Sequence, residues 1–422
     1  MSALDARALF TAMFEAAVAA ADPEHVIRDH LPAKPNGRTI VIGAGKGAAQ
    51  MARAFERAWD GPISGLVATR YGYAVPCERI EVIEAAHPVP DAAGLAGARR
   101  LFETVKGLTA DDLVVALISG GGSALLPCPT GNLTLDDEIA VNRALLASGA
   151  PISAMNTVRK HVSAIKGGRL AAAAHPARVV SLIVSDIPGD QPSLVSSGPT
   201  VPDGSTRADA LSIVETYRLD LPETVMRHLK SPAADAPLPD DPRFARNEVS
   251  VIASAAKSLE AAAGVVRQAG LEAVILSDAI EGEAREVAKV HAAIAREVAT
   301  RDRPFRKPVA ILSGGETTVT LRGANGRGGR NGEFLLSLAL GIEGIDRVHA
   351  FAADTDGIDG SEQNAGAFAD STTVARLRTK GLDAKALLNA NDSWSAFDAL
   401  GDLFQPGPTG TNVNDLRVVV IR

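Results

Sequence analysis

Short apolar runs alternate with amphipathic stretches along most of this chain of 422 residues. Runs such as RTIVIGAG, DDLVVALIS and VVSLIVSD have the length and branched content of buried strands, and most lead through a turn into a helical pattern. The succession restarts after residues 231–247, a segment rich in proline and charge that we interpret as a linker. The pattern predicts two α/β domains, residues 1–240 and 241–422, with mainly parallel sheets and helices on both faces.

Glycines gather directly after the first predicted strand. Gly43, Gly45 and Ala48 fit the dinucleotide-binding pattern G-x-G-x-x-G/A, in which the turn approaches a pyrophosphate. However, Lys46 stands inside this turn, and Arg70 ends the next strand, where an NAD site needs an acid. The turn therefore predicts either a lysine that reaches a phosphate or a developing charge directly, or a tight turn with a solvated lysine.

A second glycine-rich segment, residues 119–123 (SGGGS), follows the strand DDLVVALIS. Its backbone N–H groups predict a cradle for phosphate or carboxylate at a helix N-terminus. It lacks both the ending of a Walker A loop and the G-x-S-x-G spacing of a nucleophile elbow. His87 follows another strand, IEVIEAA, and a role in a substrate pocket stays open for it, although a lone histidine is more often structural.

Basic and acidic side chains follow in the next two segments. ISAMNTVRKHVSAIKGGRLA predicts a helix that carries Arg159, Ser163 and Lys166 on one face with Asn156 beside them, which indicates either an anion site or a solvated face. Asp186 then ends the strand VVSLIVSD, and Asp190 follows. Carboxylates at strand ends can hold Mg²⁺ or accept a proton from a hydroxyl, and turn capping is the alternative.

The second half repeats this association of glycines, arginines and acids. Residues 311–334 run from a strand through SGGE into a loop with five glycines and the arginines Arg322, Arg327 and Arg330. Exposed backbone N–H groups and guanidinium forks predict anion binding, with a solvated hairpin loop as the alternative. Asp354 and Asp356 follow the strand VHAFAAD without the spacing of an EF-hand, so a metal or polar-ligand role and a surface loop are equally compatible with them.

Composition narrows the function classes. The net charge of -7 and the aromatic content of 4% argue against a nucleic-acid-binding protein. Two cysteines, Cys77 and Cys128, are too few for a disulfide scaffold and lack a metal-binding spacing, which indicates a reducing cytoplasm. No apolar run is long enough to span a bilayer, and the N-terminal pattern is that of an amphipathic helix without a signal-peptide core.

The motifs taken in order are more specific than any one of them. GAGKGA, HPVPD, SGGGSALL, NTVRKHVSAIKGGRLA, SDIPGDQPSLVSSGPT, LSGGETTVTL, GRGGRNGEF and AADTDGIDG closely resemble the class II glycerate 2-kinases over nearly the whole chain. The resemblance implies a Rossmann-like N-terminal domain and a smaller α/β domain of the MOFRL type. It also implies transfer of the γ-phosphoryl group of ATP to the 2-hydroxyl of D-glycerate, with Mg²⁺, in a cytoplasmic enzyme. Some members are named hydroxypyruvate reductase, often beside tartrate-degradation functions.

A kinase needs positive charge and positioning more than covalent chemistry, and the chain offers both. We expect Lys46 to neutralise charge near the transferred phosphoryl group, Asp190 to orient or deprotonate the glycerate hydroxyl, and Arg327 to assist catalysis. Substrate and nucleotide would lie between the domains, and the residues predicted to bind them are Gly45, Ser119, Gly120, Gly121, Gly122, Ser123, Asn156, Arg159, Lys166, Gly314, Glu316, Asn325, Arg330 and Asn331. The predicted Mg²⁺ ligands are Asp186, Asp354 and Asp356.

Several alternatives stay open at this point. An NAD(P)H-dependent hydroxypyruvate reductase could use the turn 43–48, with Arg70 on the 2′-phosphate of the cofactor. A sensor that binds a sugar acid or a nucleotide without turnover is a third possibility. Only the resemblance selects position 2 over position 3 of glycerate. The sequence does not decide which anion site takes ATP and which takes glycerate, and it leaves the oligomeric state open, with a homodimer as the candidate.

Overall fold

The computed structural model describes residues 3–321 and 326–422. The helices are α1 (Ala3–Ala19), α2 (Pro23–Arg28), α3 (Ala48–Ala58), α4 (Ala92–Val105), α5 (Gly122–Leu125), α6 (Leu135–Ala147), α7 (Ile152–His161), α8 (Arg169–Ala174), α9 (Arg207–Thr216), α10 (Glu223–Leu229), α11 (Ala255–Gln268), α12 (Ala284–Arg301), α13 (Arg330–Ile342), α14 (Thr373–Thr379), α15 (Ala384–Asn389) and α16 (Ser393–Leu400). The strands are β1 (Thr39–Ala44), β2 (Ser64–Arg70), β3 (Ile80–Ala85), β4 (Leu113–Ser119), β5 (Arg178–Val184), β6 (Glu248–Ala253), β7 (Glu272–Ser277), β8 (Gly282–Glu283), β9 (Val309–Ser313), β10 (Thr317–Thr318), β11 (Val348–Asp354), β12 (Gly366–Asp370), β13 (Leu403–Phe404) and β14 (Asp415–Ile421).

The chain folds into two compact units. One, which we call the continuous unit, is Pro23–Ile252. The other, the divided unit, combines Met1–Asp22 with Ala253–Arg422. This division differs from the predicted domains 1–240 and 241–422 at both ends of the continuous unit.

The continuous unit is built on a six-stranded sheet with the order β3-β2-β1-β4-β5-β6. The pairs β3–β2, β2–β1, β1–β4 and β4–β5 are parallel, and β1 and β4 are buried along their whole length. The predicted Rossmann-like sheet with flanking helices is therefore confirmed. After β3 the chain crosses to the other side of β1, so the strand order reverses between β1 and β4. Ligands of doubly wound sheets bind at the carboxyl ends of strands at such a switch point.

The divided unit has a six-stranded sheet of a different kind, with the order β13-β12-β11-β14-β9-β7. Its neighbouring strands are antiparallel except for β7 and β9. The prediction of a mainly parallel second sheet was therefore wrong. The reason is connectivity: β12 turns back beside β11, and β14 enters between β11 and β9 from the end of the chain. Helices α1 and α11 pack on one face of this sheet, and α12 and α13 pack on the other.

Helix α1 belongs to the divided unit because of its aromatic side chains. Phe10 stacks on Phe351 with ring centroids 5.6 Å apart, and Phe14 meets Phe404 edge-on at 4.9 Å. Both helix residues are fully buried. The amphipathic pattern predicted the helix but could not show which sheet it covers.

The predicted linker, residues 231–247, is followed by a strand of the continuous unit. β6 lies beside β5 at the edge of the first sheet, and the Asn247 side chain accepts a hydrogen bond from the Val179 N–H. The run EVSVIA has the residue types of a strand, but the sequence does not indicate which of the two sheets this strand joins. The boundary between the units therefore follows β6 rather than preceding it.

The aromatic contact of α1 gives a test of the divided unit. Phe10→Ala removes a buried ring from a packed cluster and should lower the free energy of unfolding by about 3–5 kcal/mol. Val290→Ala is the control, because Val290 on α12 is 60% exposed and its truncation should change stability by less than about 0.5 kcal/mol. Urea titration followed by circular dichroism measures both, and equal effects would contradict this placement of α1.

Candidate active site

The turn after β1 and the loop after β4 touch at the switch point of the continuous unit. The Lys46 N–H donates to the Gly120 carbonyl at 2.8 Å, and the Gly47 N–H donates to Ser119 Oγ at 3.0 Å. Gly45 has a φ of +137°, and a Cβ there would lie 2.2 Å from Ser119 Oγ. Only glycine permits this approach. The Lys46 ammonium makes no ion pair within residues 3–321 and 326–422.

The three glycines after Ser119 are enclosed by side chains from two other segments. A Cβ at Gly120 would lie 1.6 Å from Asp186 Oδ2, and a Cβ at Gly122 would lie 2.4 Å from Ser196 Oγ. The Asp186 carboxylate therefore rests against the backbone of Gly120. The sequence predicted an anion cradle at a helix N-terminus. The helix that follows the glycines, α5, has only four residues, so its dipole contributes little to anion binding. Any anion bound here would depend on backbone N–H groups and nearby cations.

His87, which follows β3, lies beside Lys46 at the same loop. A Cβ at Gly121 would lie 3.1 Å from Lys46 Cγ and 3.2 Å from His87 Nε2, so both side chains converge on Gly121. Burial, together with the positive charges of Lys46 and Arg70, lowers the pKa of His87 to about 4. The imidazole is therefore neutral near pH 7.

Polar side chains connect the glycine loop to α7. Ser123 Oγ lies 2.9 Å from Ser197 Oγ, and the Ser197 hydroxyl donates to Asn156 Oδ1 at 2.8 Å. The Asn156 amide donates to the Leu194 carbonyl, which fixes the orientation of this side chain. Arg159 donates to the same Asn156 oxygen at 3.4 Å and makes no ion pair in the described part of the chain. The structure thus brings together Asn156, Arg159 and Ser123, all of which were predicted to bind substrate or nucleotide.

The loop after β5 holds its residues in unusual backbone conformations. Asp190, Ser196 and Ser197 have φ values of 50°, 53° and 60°, a region that non-glycine residues seldom adopt. Strain of this kind is concentrated at functional sites. The Ser196 hydroxyl donates to the Ser119 carbonyl, while the Asp190 carboxylate makes no hydrogen bond or ion pair within the described ranges. The predicted roles of Asp186 and Asp190 stay compatible with this geometry.

Lys166 does not join these residues. The predicted continuous helix ends at His161, so Ser163 and Lys166 lie in the loop that precedes α8. The Lys166 ammonium is 1% exposed and pairs with the buried Glu138 carboxylate at 2.5 Å. Its charge is therefore neutralised inside the fold, and we assign Lys166 a structural role in place of anion binding.

In the divided unit, Arg330 is surrounded by acids. Its guanidinium donates to Asp415 at 2.9 Å, to Glu316 at 2.8 Å and to Asp354 at 2.7 Å. Burial lowers the pKa of Arg330, but these three charges outweigh burial and raise it above its ordinary value. Three of its five N–H donors are thus engaged by carboxylates of the protein, which offset its positive charge.

The N-terminus of α13 is occupied as well. Asp359 accepts from the N–H groups of Asn331 and Gly332, at 2.9 and 2.8 Å. Burial raises the pKa of Asp359 to about 6, although these two hydrogen bonds act in the opposite direction. Asn331 also donates from its side chain to Asp415. A carboxylate of the protein thus takes the position at which an anion was predicted to bind.

The remaining predicted residues of the glycine–arginine loop are mostly committed to the protein. Arg327 stacks 3.5 Å above the ring of Trp394 and donates to both oxygens of Glu362. The Gly314 N–H donates to the Ser277 carbonyl, so this residue joins β9 to β7. Asn325 lies outside the described residues. A cavity of about 300 Å³ nevertheless opens beside Arg330, with Val319, the backbone of the glycines and Glu333 in its walls.

The predicted metal ligands of this unit are also engaged. Asp354 accepts from Arg330 and from the Asp356 N–H, and Asp356 accepts from the Ile358 N–H. Burial and the neighbouring Asp415 raise the pKa of Asp354 well above its usual range. Throughout the described chain, no three His, Cys, Asp or Glu side chains gather closely enough to hold a metal ion by themselves. None of the helices in those ranges combines the length and apolar character needed to cross a membrane.

The loops of the continuous unit also bring three further residues to this site that were not among the predicted site residues: His87, Ser196 and Ser197. His87 had a signal, since it follows a strand of the same predicted sheet and stands in the motif HPVPD. The serines follow Asp190 in the motif LVSSGPT, but their left-handed conformation has no signature in the sequence.

The buried pair of Lys166 and Glu138 allows a test of its structural role. Lys166→Ala leaves a carboxylate buried without its cation and should lower the free energy of unfolding by about 3–5 kcal/mol. Lys106→Ala is the control, because Lys106 and Glu103 form an exposed pair on α4 that contributes less than about 1 kcal/mol. Urea unfolding measures both variants. Similar stabilities for the two would show that Lys166 is not held as described.

Known proteins resemble this chain over its full length. Residues 9–230 match the family described as a domain of unknown function, DUF4147, and residues 309–415 match the MOFRL family. A protein of Agrobacterium vitis whose name gives hydroxypyruvate reductase as a provisional assignment is 52% identical over 420 residues, which cover 99% of this chain and 95% of that protein.

Kinases are among the similar proteins. D-glycerate 2-kinase of Thermotoga maritima is 40% identical over 402 residues, or 94% of each chain. A crystal structure of glycerate kinase from Thermotoga maritima matches with a TM-score of 0.90 and 38% identity, over 99% of this chain and 100% of that one. These matches confirm the resemblance found in the motifs, and the chain belongs to the glycerate kinase family that combines a DUF4147 domain with a MOFRL domain.

Proposed function

We propose that this protein transfers the γ-phosphoryl group of ATP to the 2-hydroxyl of D-glycerate, giving 2-phosphoglycerate and ADP. One observation carries the proposal: the side chain of Lys46, which has no ion-pair partner within the described ranges, borders Gly121 of the glycine loop at the switch point of the sheet. Charge stabilisation and positioning are what phosphoryl transfer requires of a protein. The choice of position 2 is supported by the sequence motifs and by the name of the Thermotoga relative.

The continuous unit supplies the groups for the reacting end of both substrates. Lys46 would neutralise charge that develops on the transferred group, and backbone N–H groups of the glycine loop would hold phosphate oxygens. Arg159, which lacks a carboxylate partner in the described ranges, is a second cation for the glycerate carboxylate or a phosphate. Asp190 would orient the glycerate hydroxyl. Arg327 and Arg330 are omitted from this assignment because acids already hold them.

Mg²⁺ fits the same loops by the chemistry of their donors. The Asp186 carboxylate beside Gly120 is the oxygen ligand that Mg²⁺ prefers, and nucleotide phosphates provide further oxygens. Bound there, Mg²⁺ would offset negative charge on the phosphates. Asp354 and Asp356 are engaged by Arg330 and by backbone N–H groups, so we do not include them in this proposal. A cytoplasmic location accords with the free thiols of Cys77 and Cys128.

A reductase acting on hydroxypyruvate is the second candidate, favoured by the strand order and by the name of the Agrobacterium relative. Several features oppose it. Lys46 stands in the turn where a dinucleotide site uses the backbone alone. Arg70, which would bind the 2′-phosphate of the cofactor, instead stacks on Tyr73, with its guanidinium carbon 4.1 Å from the ring centroid. The clustering of Asp186 and Lys46 at the glycine loop also has no task in hydride transfer.

A single coupled assay separates these functions. Purified protein with D-glycerate, ATP and Mg²⁺ is combined with enolase, pyruvate kinase and lactate dehydrogenase, without phosphoglycerate mutase, and ADP is measured separately by chromatography. We expect ADP together with enolase product, because enolase uses only 2-phosphoglycerate. ADP without that product would mean phosphorylation at another position or idle ATP hydrolysis. NADPH oxidation with hydroxypyruvate, in the absence of ADP, would support the reductase instead.

The assignment of Lys46 has its own test. Lys46→Ala should lower kcat about a hundredfold or more, because an electrostatic contact to the transition state is lost. KM values should change less than kcat. Lys34→Ala is the matched control, since Lys34 forms an exposed pair with Asp60 and should leave turnover unchanged. Near-normal turnover of Lys46→Ala would remove this lysine from the mechanism.

A further inference from the structure

The His87 imidazole lies at the proposed reaction centre without an assigned task. Its Nε2 atom approaches the Cα of Gly121 so closely that a Cβ there would be 3.2 Å away, and Lys46 Cγ borders the same point. The residue is half-buried. A histidine in this place is within reach of whatever Lys46 and the glycine loop bind.

The ring nitrogens of His87 have no partner in the protein. Within residues 3–321 and 326–422, neither nitrogen takes part in a hydrogen bond or an ion pair. Several histidines of the chain differ in this respect: His291, for example, bonds through both nitrogens, to Val287 and Ser313. Both ring nitrogens of His87 are therefore left to interact with a ligand.

The charged groups that face His87 come from two elements. Lys46 approaches from the turn after β1, and Arg70 from the end of β2, while the adjoining loop residue, Gly121, carries no charge. Both cations act against protonation of the ring, as burial does, so the pKa of His87 lies near 4 and its lone pair is available at neutral pH.

We propose that His87 is a further catalytic residue, which accepts the proton of the glycerate hydroxyl during phosphoryl transfer. This inference rests on the proposed kinase function. In the step, the hydroxyl O–H bond breaks and its proton passes to a ring nitrogen of His87. The oxygen forms a bond to the γ-phosphorus, the bond from that phosphorus to the β,γ-bridging oxygen breaks, and ADP leaves with the electron pair. The imidazolium later returns its proton to water.

Geometry favours His87 over Asp190 for this task. Nε2 borders the same glycine as Lys46, whereas Asp190 is not among the nearest neighbours of Gly120, Gly121 or Gly122. The two cations suppress the proton affinity of His87 until phosphate charges offset them, so the ring becomes a stronger base when the anionic substrates are bound.

The experiment compares pH profiles of the full-length protein and two variants, with ADP measured in quenched samples. In the unsubstituted protein, kcat should fall as pH falls, and this acid limb should lie at higher pH than the corresponding limb of kcat/KM. The reason is that kcat reports the substrate complex and kcat/KM the free enzyme. His87→Gln should lower kcat about a hundredfold or more and abolish the acid limb of kcat. Asp190→Asn should keep it.

A matched control comes from the chain itself. His175 also precedes a proline but is exposed, at the opposite end of the sheet before β5, so His175→Gln should retain the unsubstituted profile. His87→Asn serves as a second variant if His87→Gln melts at a lower temperature. An acid limb that survives in a folded His87 variant, or a loss of kcat below about tenfold, overturns the inference while the kinase function stands. Absence of ADP formation in the unsubstituted protein refutes the kinase function itself.

Discussion

The contact between two backbone turns is the constraint on which the site depends. Gly45 and the Ser119 loop approach each other so closely that a single Cβ would fall 2.2 Å from Ser119 Oγ. The approach is possible because β1 and β4 are adjacent and parallel, so both turns leave the same edge of the sheet. Lys46, Asp186 and His87 converge only because these backbones are in contact. Buried strands thus set the positions of the charged groups.

The basic residues of the predicted site differ in whether the protein itself neutralises them. In the continuous unit, Lys46 and Arg159 lack carboxylate partners within the described ranges, whereas Lys166 pairs with Glu138. In the divided unit, Arg330 meets three acids. The count of arginines in a loop therefore says little about anion binding, because attraction to a ligand depends on the charge that remains after the protein has paired its own groups.

Sequence predicted the first sheet well and the second poorly, for physical reasons. Strand runs followed by glycine turns specify parallel βαβ units, and the positions of Lys46, the Ser119 loop and Asp186 follow from that rule. β14 is an ordinary apolar run whose place between β11 and β9 depends on contacts far away in the chain. The same holds for Glu138 opposite Lys166 and Asp359 at α13, since a charge pattern shows a side chain but not its partner. Asp190 keeps the orienting part of its predicted role as a proposal.

The central position of β14 has a consequence for how the protein is made. A ribosome completes all six strands of the continuous unit by Ala253, so that unit has its whole sheet while the rest of the chain is still being synthesised. The divided unit has no such opportunity. Its α1 emerges before the continuous unit, and β14 follows all of the other strands of the divided unit. Until then, β11 and β9 each present an unpaired inner edge, a surface prone to pairing with other nascent chains.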